Sequence, residues 1–396
     1  MKVLKRRWLE LLSYCGLTLV NGLAWCTLTS ISSSAESYYG VSTDLINLYE
    51  MTYFIMYLPF APLSSWCLGK SFYWCMHFAW AITTVGVWLR VLAGSNFFFS
   101  LLGQFFIASL NSLTLPACST LASVWFKQDE QVFATTVGSL SNFIGIGLGF
   151  ILPPYIKDIP DVMMLQAVIA SAFAVLNLLF SSKEPKQPTD ELGFIEGIKT
   201  AMKNKNLLGI VLCSSSGVAV SYTMLGIMGE ILAPSGMESK ETGWIGFSIV
   251  NAGMVGGLIA TFLVKKFKAI LMPLRIFLLL SIVSIIFWAA VIWNLLLAII
   301  GSVLVGFTII GFVPLGIRAA VEQNQEIEES IPTNMIFFTA QILSLIYTYP
   351  LEYFNQLTHL TGLWIAAMIT FVSFVAFLMI YKKKNINEVS SGLLTI

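Results

Sequence analysis

Residues 182–206, with the sequence SKEPKQPTDELGFIEGIKTAMKNKN, form the one long polar stretch of this chain. Six apolar runs precede the stretch and six follow it, each long enough for the roughly 20 residues that a membrane-spanning helix needs. Within the stretch, apolar residues recur at helical spacing among charged ones, at Phe194, Ile195, Ile198 and Met202. That spacing predicts an amphipathic helix on the membrane surface, in a linker between two membrane-embedded halves.

The composition of the whole chain points to the same surroundings. Of the 396 residues, 57% are hydrophobic and 11% are charged, and the mean hydropathy is +0.81. Soluble proteins carry about 25% charged residues, so a soluble enzyme or binding domain is excluded. The 22 Lys and Arg residues barely exceed the 21 Asp and Glu residues, which leaves no basic excess for binding nucleic acid.

Polar breaks between the apolar runs predict twelve transmembrane helices. They are placed near residues 8–31, 44–67, 72–94, 97–123, 131–154, 162–181, 207–233, 243–264, 269–292, 294–317, 333–355 and 360–381. The predicted fold class is an all-α membrane protein with twelve transmembrane helices in two six-helix halves, residues 1–181 and 207–381. Residues 182–206 are the predicted cytoplasmic linker, and residues 382–396 are a cytoplasmic tail.

The distribution of basic residues predicts the orientation. With twelve helices, both ends of the chain lie on one side of the membrane, and nineteen of the 22 Lys and Arg residues fall on that side. Because cytoplasmic loops are enriched in Lys and Arg, both termini and the linker are predicted to be cytoplasmic. The basic N-terminus resembles the start of a signal peptide. The apolar run behind it continues to about Ser30 without a small-x-small cleavage site, which favours a first transmembrane helix.

Two six-helix halves joined by a charged cytoplasmic linker are the organisation of the major facilitator superfamily, and shorter motifs indicate one branch of it. In chain order they are RRW (6–8) running into VNGLAW (20–25), YGV (39–41), YLP (57–59), ASVWF (122–126), GFILPP (149–154), AGMVG (252–256), PLG (314–316) with AVE (320–322), and AQ (340–341). Together they resemble the feline leukaemia virus subgroup C receptor-related transporters. The resemblance implies a substrate site near the bilayer midplane between the halves, and transport of choline and ethanolamine. Haem transport has also been ascribed to the family, and a more distant branch handles a pyridoxine-like vitamin.

The resemblance also implies which residues bind the substrate. The family's choline site pairs a Trp on the first helix with polar groups on the fourth, seventh and eleventh helices. Trp25 and Gln341 match two of these positions, and Asn111 stands where relatives carry Gln. On the seventh helix Tyr222 lies near the family's Tyr, although Val220 takes that position in an ungapped alignment.

The same residues suit a small organic cation on chemical grounds. A quaternary ammonium has no N–H to donate and is bound by the negative faces of aromatic rings, of which Trp is the strongest. Trp25 lies about halfway along the first predicted helix, and Tyr222 lies at a similar depth on the seventh. Asn111 and Gln341 can accept a hydrogen bond from the hydroxyl or amine end of an amino alcohol. The alternatives are packing against helices or lipid for Trp25 and interhelical hydrogen bonding for the two amides.

Acidic residues inside the bilayer are costly and are candidates for coupling or for attracting a cation. Glu50 lies about two turns into the second predicted helix, and Glu230 lies near the outer end of the seventh. Either can attract a cation or take a proton. The alternative for Glu50 is a carboxylate near the headgroups that is bonded to Tyr or Ser, and the alternative for Glu230 is an interfacial position.

These observations predict a facilitative transporter in the plasma membrane that moves choline, ethanolamine or both by alternating access. Its predicted partners are that small-molecule substrate and the lipid bilayer, with no nucleic acid, and it is predicted to act as a monomer. The sequence predicts no enzymatic activity, catalytic residue, metal site or cofactor, and His77 and His359 lie far apart in the sequence. The alternatives are a haem transporter, a proton-coupled symporter of a vitamin or other organic solute with Glu50 as proton carrier, and a non-transporting receptor or scaffold.

Overall fold

The computed structural model describes residues 2–156, 158–183, 194–267, 270–323, 330–357 and 361–380. The regular elements in these ranges are all helices. The predicted tail, residues 184–193 of the predicted linker, and His359 lie outside the described residues. The described part of the linker contains a short helix, Phe194–Lys203, which includes the four apolar residues at helical spacing.

Twelve spans follow one another along the described residues. Ten of them are long and apolar enough to cross a membrane within the described residues, and the second and twelfth complete the set. In order from the first to the twelfth, the spans are Lys2–Trp25 continued by Ser32–Tyr39; Thr43–Leu68; Phe72–Leu92; Phe97–Ser109 with Asn111–Thr114 and Ala117–Trp125; Gln128–Ile151; Ile159–Phe180; Lys205–Gly226 with Met228–Leu232; Ser239–Phe267; Leu271–Val291; Leu295–Val305 with Val313–Glu322; Ser330–Leu357; and Thr361–Ile380. The predicted fold class is therefore confirmed, and the predicted helices overlap the observed spans one for one.

Four spans are interrupted, and they are the first and fourth of each half. The first ends its α-helix at Trp25 and turns through the 3₁₀ segment Thr29–Ile31. The fourth is broken at Leu110 and again at Pro116, whose nitrogen carries no hydrogen for the helical ladder. The seventh is broken at Ile227, and the tenth passes through a π-helical turn at Gly306–Ile310. In transporters, interrupted helices free backbone groups at the centre of the molecule, where substrates bind.

The two halves repeat a local starting signal. Asn96 precedes the fourth span, and its side chain accepts a hydrogen bond from the Phe99 N–H at 3.1 Å. Asn294 precedes the tenth span and accepts one from the Leu297 N–H at 3.2 Å. An Asn in this position satisfies one of the free N–H groups at a helix start, so corresponding spans of the two halves begin in the same way.

The halves are joined at the end of the bundle remote from the N-terminus. The Trp244 ring N–H donates to the Tyr155 hydroxyl at 2.9 Å, and the Lys240 ammonium lies 5.3 Å from the centre of the Tyr155 ring. The Asn47 amide donates to the Glu230 carboxylate. Each of these contacts connects an N-terminal span to a C-terminal one, so this end of the central space is closed.

Candidate substrate-binding site

A small cavity lies between the two halves at the break in the first span. Residues from the first, second, fourth, fifth, seventh and eleventh spans line it. Its volume is about 10 Å³, which is room for about one water molecule. All four residues predicted to bind substrate, Trp25, Asn111, Tyr222 and Gln341, lie in its wall. Val220, the alternative to Tyr222, is buried in the helix packing instead.

Four aromatic side chains, Trp25, Tyr53, Phe54 and Tyr222, form what we call the aromatic cage. The Trp25 ring centre lies 5.2 Å from that of Tyr222, 6.2 Å from that of Tyr53 and 6.0 Å from that of Phe54. Phe54 and Tyr222 are nearly parallel, with an interplanar angle of 4° and a separation of 6.3 Å. The C-terminal half supplies Tyr222 and the N-terminal half supplies the other three rings. An ammonium group that separated these rings would meet their negative faces.

Two polar groups at the cavity lack partners. Gln341 is 0% exposed, and neither its amide nitrogen nor its amide oxygen bonds to any described residue. The Trp25 ring N–H is also buried without a described acceptor. Because an unsatisfied buried polar group costs free energy, such groups call for a ligand or water. Asn111 adds a third polar side chain to the same wall.

The two predicted acidic residues do not line this cavity. Glu50 lies on the second span, one helical turn before Phe54, and is buried outside the cavity wall. Glu230 accepts a hydrogen bond from Asn47, so it belongs to the contact that joins the halves. Their coupling and cation-attracting roles stay predictions.

The contribution of the second span was missed by sequence reasoning. Tyr53 and Phe54 were not among the predicted substrate-binding residues, yet both belong to the cage. The available signal was the recurrence of Tyr49, Tyr53 and Tyr57 at every fourth residue, because such spacing places side chains on one face of a helix.

Two further amides in the cavity wall fix the first span in place. The Asn21 amide donates to the Ile107 carbonyl at 3.3 Å, and the Asn142 amide donates to the Thr18 carbonyl at 3.1 Å. The Tyr53 hydroxyl in turn donates to the Asn21 carbonyl at 2.9 Å. These bonds position Trp25 relative to the second, fourth and fifth spans.

Comparison with known proteins agrees with this architecture. Residues 13–326 match the model of the Major Facilitator Superfamily. The chain belongs to that superfamily. It is 26% identical to the choline/ethanolamine transporter flvcr2a of Danio rerio, over 88% of this chain and 80% of that protein. It is 25% identical to an uncharacterised MFS-type transporter of Caenorhabditis elegans over 88% of this chain, and it spans 64% of that protein's length. The expected resemblance to the feline leukaemia virus subgroup C receptor-related branch is confirmed.

A solved structure of the superfamily shares the fold. It is that of a bacterial homologue of the human lysosomal transporter Spinster, in an inward-facing and unoccupied conformation. The TM-score is 0.68, and the match covers 96% of this chain and 99% of that chain. The sequence identity is 13%, so the likeness concerns the fold alone.

Proposed function

We propose that this superfamily member is a facilitative transporter of a small organic cation, which is choline, ethanolamine or both. The observation that carries the proposal is the aromatic cage with the unpartnered Gln341 amide beside it. A trimethylammonium group is bound by ring faces, and a hydroxyl at the other end of the molecule can bond to the amide. The name of the Danio rerio relative supports the same class of substrate.

Each residue of the cavity has a distinct role in this proposal. Trp25 makes the main contact with the cation, and Tyr222 closes the cage from the other half. Asn111 and Gln341 bond to the hydroxyl or amine end and orient the substrate. Tyr53 and Phe54 complete the apolar wall, which excludes water from the ammonium group and so strengthens its attraction to the rings.

Transport by alternating access accounts for the small size of the cavity. The cage rings pack on one another, and about 10 Å³ of free space is much less than choline requires. Substrate binding must therefore separate Tyr222 from Trp25, which belong to different halves. Rocking of the halves about a central site is how this superfamily alternates access. Uniport, driven by a gradient or by the membrane potential, is the simplest coupling.

The proposal includes the membrane in which the protein acts, its oligomeric state and its orientation. It acts as a monomer in the plasma membrane, with both termini cytoplasmic and with halves formed by residues 1–181 and 207–381.

A haem site has less support, because the described lining of the cavity contains no His. His77 lies on the third span, where its ring is 3.0 Å from the Tyr73 carbonyl.

The proposal is tested by uptake of labelled choline into liposomes that contain the purified protein. Trp25→Ala removes a cation–π contact worth about 2 kcal/mol when desolvated, so we expect about 30-fold weaker apparent affinity. Competition by ethanolamine weakens in the same variant.

The matched control is Trp74→Ala, since the Trp74 side chain is 64% exposed on the surface of the bundle. That variant transports like the unmodified protein. If Trp25→Ala leaves both choline uptake and its competition by ethanolamine unchanged, the cage is not the substrate site.

A further inference from the structure

A buried carboxylate lies one helical turn from the aromatic cage. Glu50 is 2% exposed, and the Thr29 hydroxyl and the backbone N–H groups of Leu28 and Thr29, at the break of the first span, face its oxygens. These groups are neutral, and no ion pair to Glu50 is formed in the described structure. Because a buried charge without an ion pair is costly, the charged form of Glu50 weakens the protein.

The positive charge that faces Glu50, the Arg90 guanidinium, lies 5.4 Å from the centre of the Tyr49 ring and is not paired with the carboxylate. Arg90 of the third span is also 2% exposed and attracts the Glu50 carboxylate, yet the two side chains form no ion pair in the described structure. The Arg90 Nη2 donates to the Met163 sulfur at 2.9 Å, while its Nε and Nη1 have no described partner. The Thr29 hydroxyl, at the break of the first span, faces Glu50.

Most of the other groups around Glu50 add no charge at neutral pH. Besides Arg90, the titratable groups that face it are Tyr49 and Tyr53 on its own span and Cys26 on the first span. The fourth span contributes Gln104, whose amide donates to the Ala24 carbonyl at 3.2 Å. The seventh span reaches this region through Glu230, which is bonded to Asn47. Glu230 is a further acid, but it belongs to the contact that joins the halves. The charged groups that act on Tyr53 of the cage are Arg90 and Glu50.

We propose that Glu50 binds a proton in competition with the cationic substrate, an inference that rests on the proposed binding of a cation in the cage. While Glu50 is negative, its charge offsets that of Arg90. When Glu50 takes a proton from water, the Arg90 charge is left uncompensated, and its field reaches Tyr53 of the cage. In a buried region of low dielectric constant, that charge opposes an ammonium group strongly.

A proton suits this site better than a metal ion. Arg90 repels any cation that approaches Glu50, whereas a proton bound to a carboxylate oxygen leaves a neutral acid. The described residues also contain no group of three or more His, Cys, Asp or Glu side chains that could hold a metal. Because linkage is reciprocal, a cation in the cage must in turn release the proton from Glu50.

The test is the affinity of the purified full-length protein for choline and for 3,3-dimethylbutan-1-ol, its uncharged isostere, between pH 8 and pH 5.5. We expect the choline affinity to fall by about tenfold as the pH falls, since an uncompensated buried charge opposes the cation. The affinity for the isostere stays constant. Titration calorimetry of choline in two buffers of different ionisation enthalpy shows release of up to one proton per choline bound.

The variants assign these effects to Glu50. Glu50→Gln binds choline weakly at every pH and releases no proton, whereas Glu36→Gln, a change at a partly exposed acid, keeps the full pH dependence. If Glu50→Gln does not fold, Glu50→Leu takes its place, because it also removes the group that binds the proton. Choline binding that does not depend on pH, or whose pH dependence survives in the Glu50 variant, overturns this inference alone. Absence of choline binding at every pH overturns the proposed function as well.

Discussion

At the scale of single residues, the Gln341 amide shows a conflict between stability and binding. An amide that is buried with both polar atoms unpartnered weakens the empty protein. Gln104 is equally buried, but its amide donates to the Ala24 carbonyl at 3.2 Å and holds the first and fourth spans together. Two glutamines in similar apolar surroundings therefore have opposite expected effects on stability.

We expect Gln341→Leu to raise the thermal unfolding temperature of the substrate-free protein. The change removes an unsatisfied polar group worth about 1–3 kcal/mol while keeping a side chain of similar size. The same variant binds choline more weakly, because the hydroxyl loses its partner. Gln104→Leu is the control and lowers the unfolding temperature. If Gln341→Leu is less stable than the unmodified protein, the amide has a structural role and the proposed orientation of the substrate is wrong.

Sequence reasoning located those site residues whose chemistry is unusual for a membrane helix. Trp25 belongs to a shared motif, and Asn111 and Gln341 are amides within apolar runs. Phe54 carries no such signal, because in a membrane span an apolar side chain suits lipid, helix packing and a binding site equally well. Which face of the second span meets Tyr222 depends on how the two halves pack, and periodicity within one helix does not contain that information.

At the scale of elements, the glycines of the fifth span have different neighbours. A Cβ on Gly145 would lie within 2.8 Å of the Leu19 carbonyl carbon, which is rigid backbone of the first span. A Cβ on Gly147 would lie 3.4 Å from the Phe247 ring of the eighth span, an ordinary contact. Gly145 therefore sets the distance between two spans of one half, whereas Gly147 faces the other half.

We expect Gly145→Ala to destabilise the protein by about 1–3 kcal/mol, the usual cost of overpacking. Gly147→Ala leaves stability within about 0.5 kcal/mol of the unmodified protein, as substitutions without such a clash do. Thermal unfolding of both variants in the same detergent measures the difference. Equal stability of the two variants would contradict the close approach of the first and fifth spans.

The number of spans follows from sequence, but their interruptions do not. Apolar runs continue through the breaks of the first, seventh and tenth spans, so hydrophobicity alone predicts unbroken helices. The π-helical turn of the tenth span begins at Gly306, where a Cβ would collide with the Ile249 carbonyl of the eighth span. Such breaks arise from contacts between spans, which no single run of sequence specifies.

At the scale of the whole molecule, the cage and the contact that closes one end of it both lie between the halves. Ser32 follows the break of the first span, and Gly229 lies in the short segment that ends the seventh. A Cβ on Gly229 would lie 3.7 Å from the Ser32 Cβ, within the range of a disulfide. The Thr29 carbonyl oxygen lies 2.7 Å from that Cβ, so this backbone segment must shift to admit the new side chain. A reversible covalent bond can therefore join the halves beside the substrate site without touching the cage.

We expect the double variant Ser32→Cys, Gly229→Cys to lose choline uptake into liposomes under oxidising conditions and to recover it with a reductant. The disulfide holds the two halves together at the end remote from the N-terminus, so the central site cannot open there. Each single variant, treated with the same oxidant, controls for the native cysteines and keeps its uptake. Full uptake by protein whose cross-link is shown by mass spectrometry would mean that substrate passes without separation of these halves, and alternating access would then be wrong for this chain.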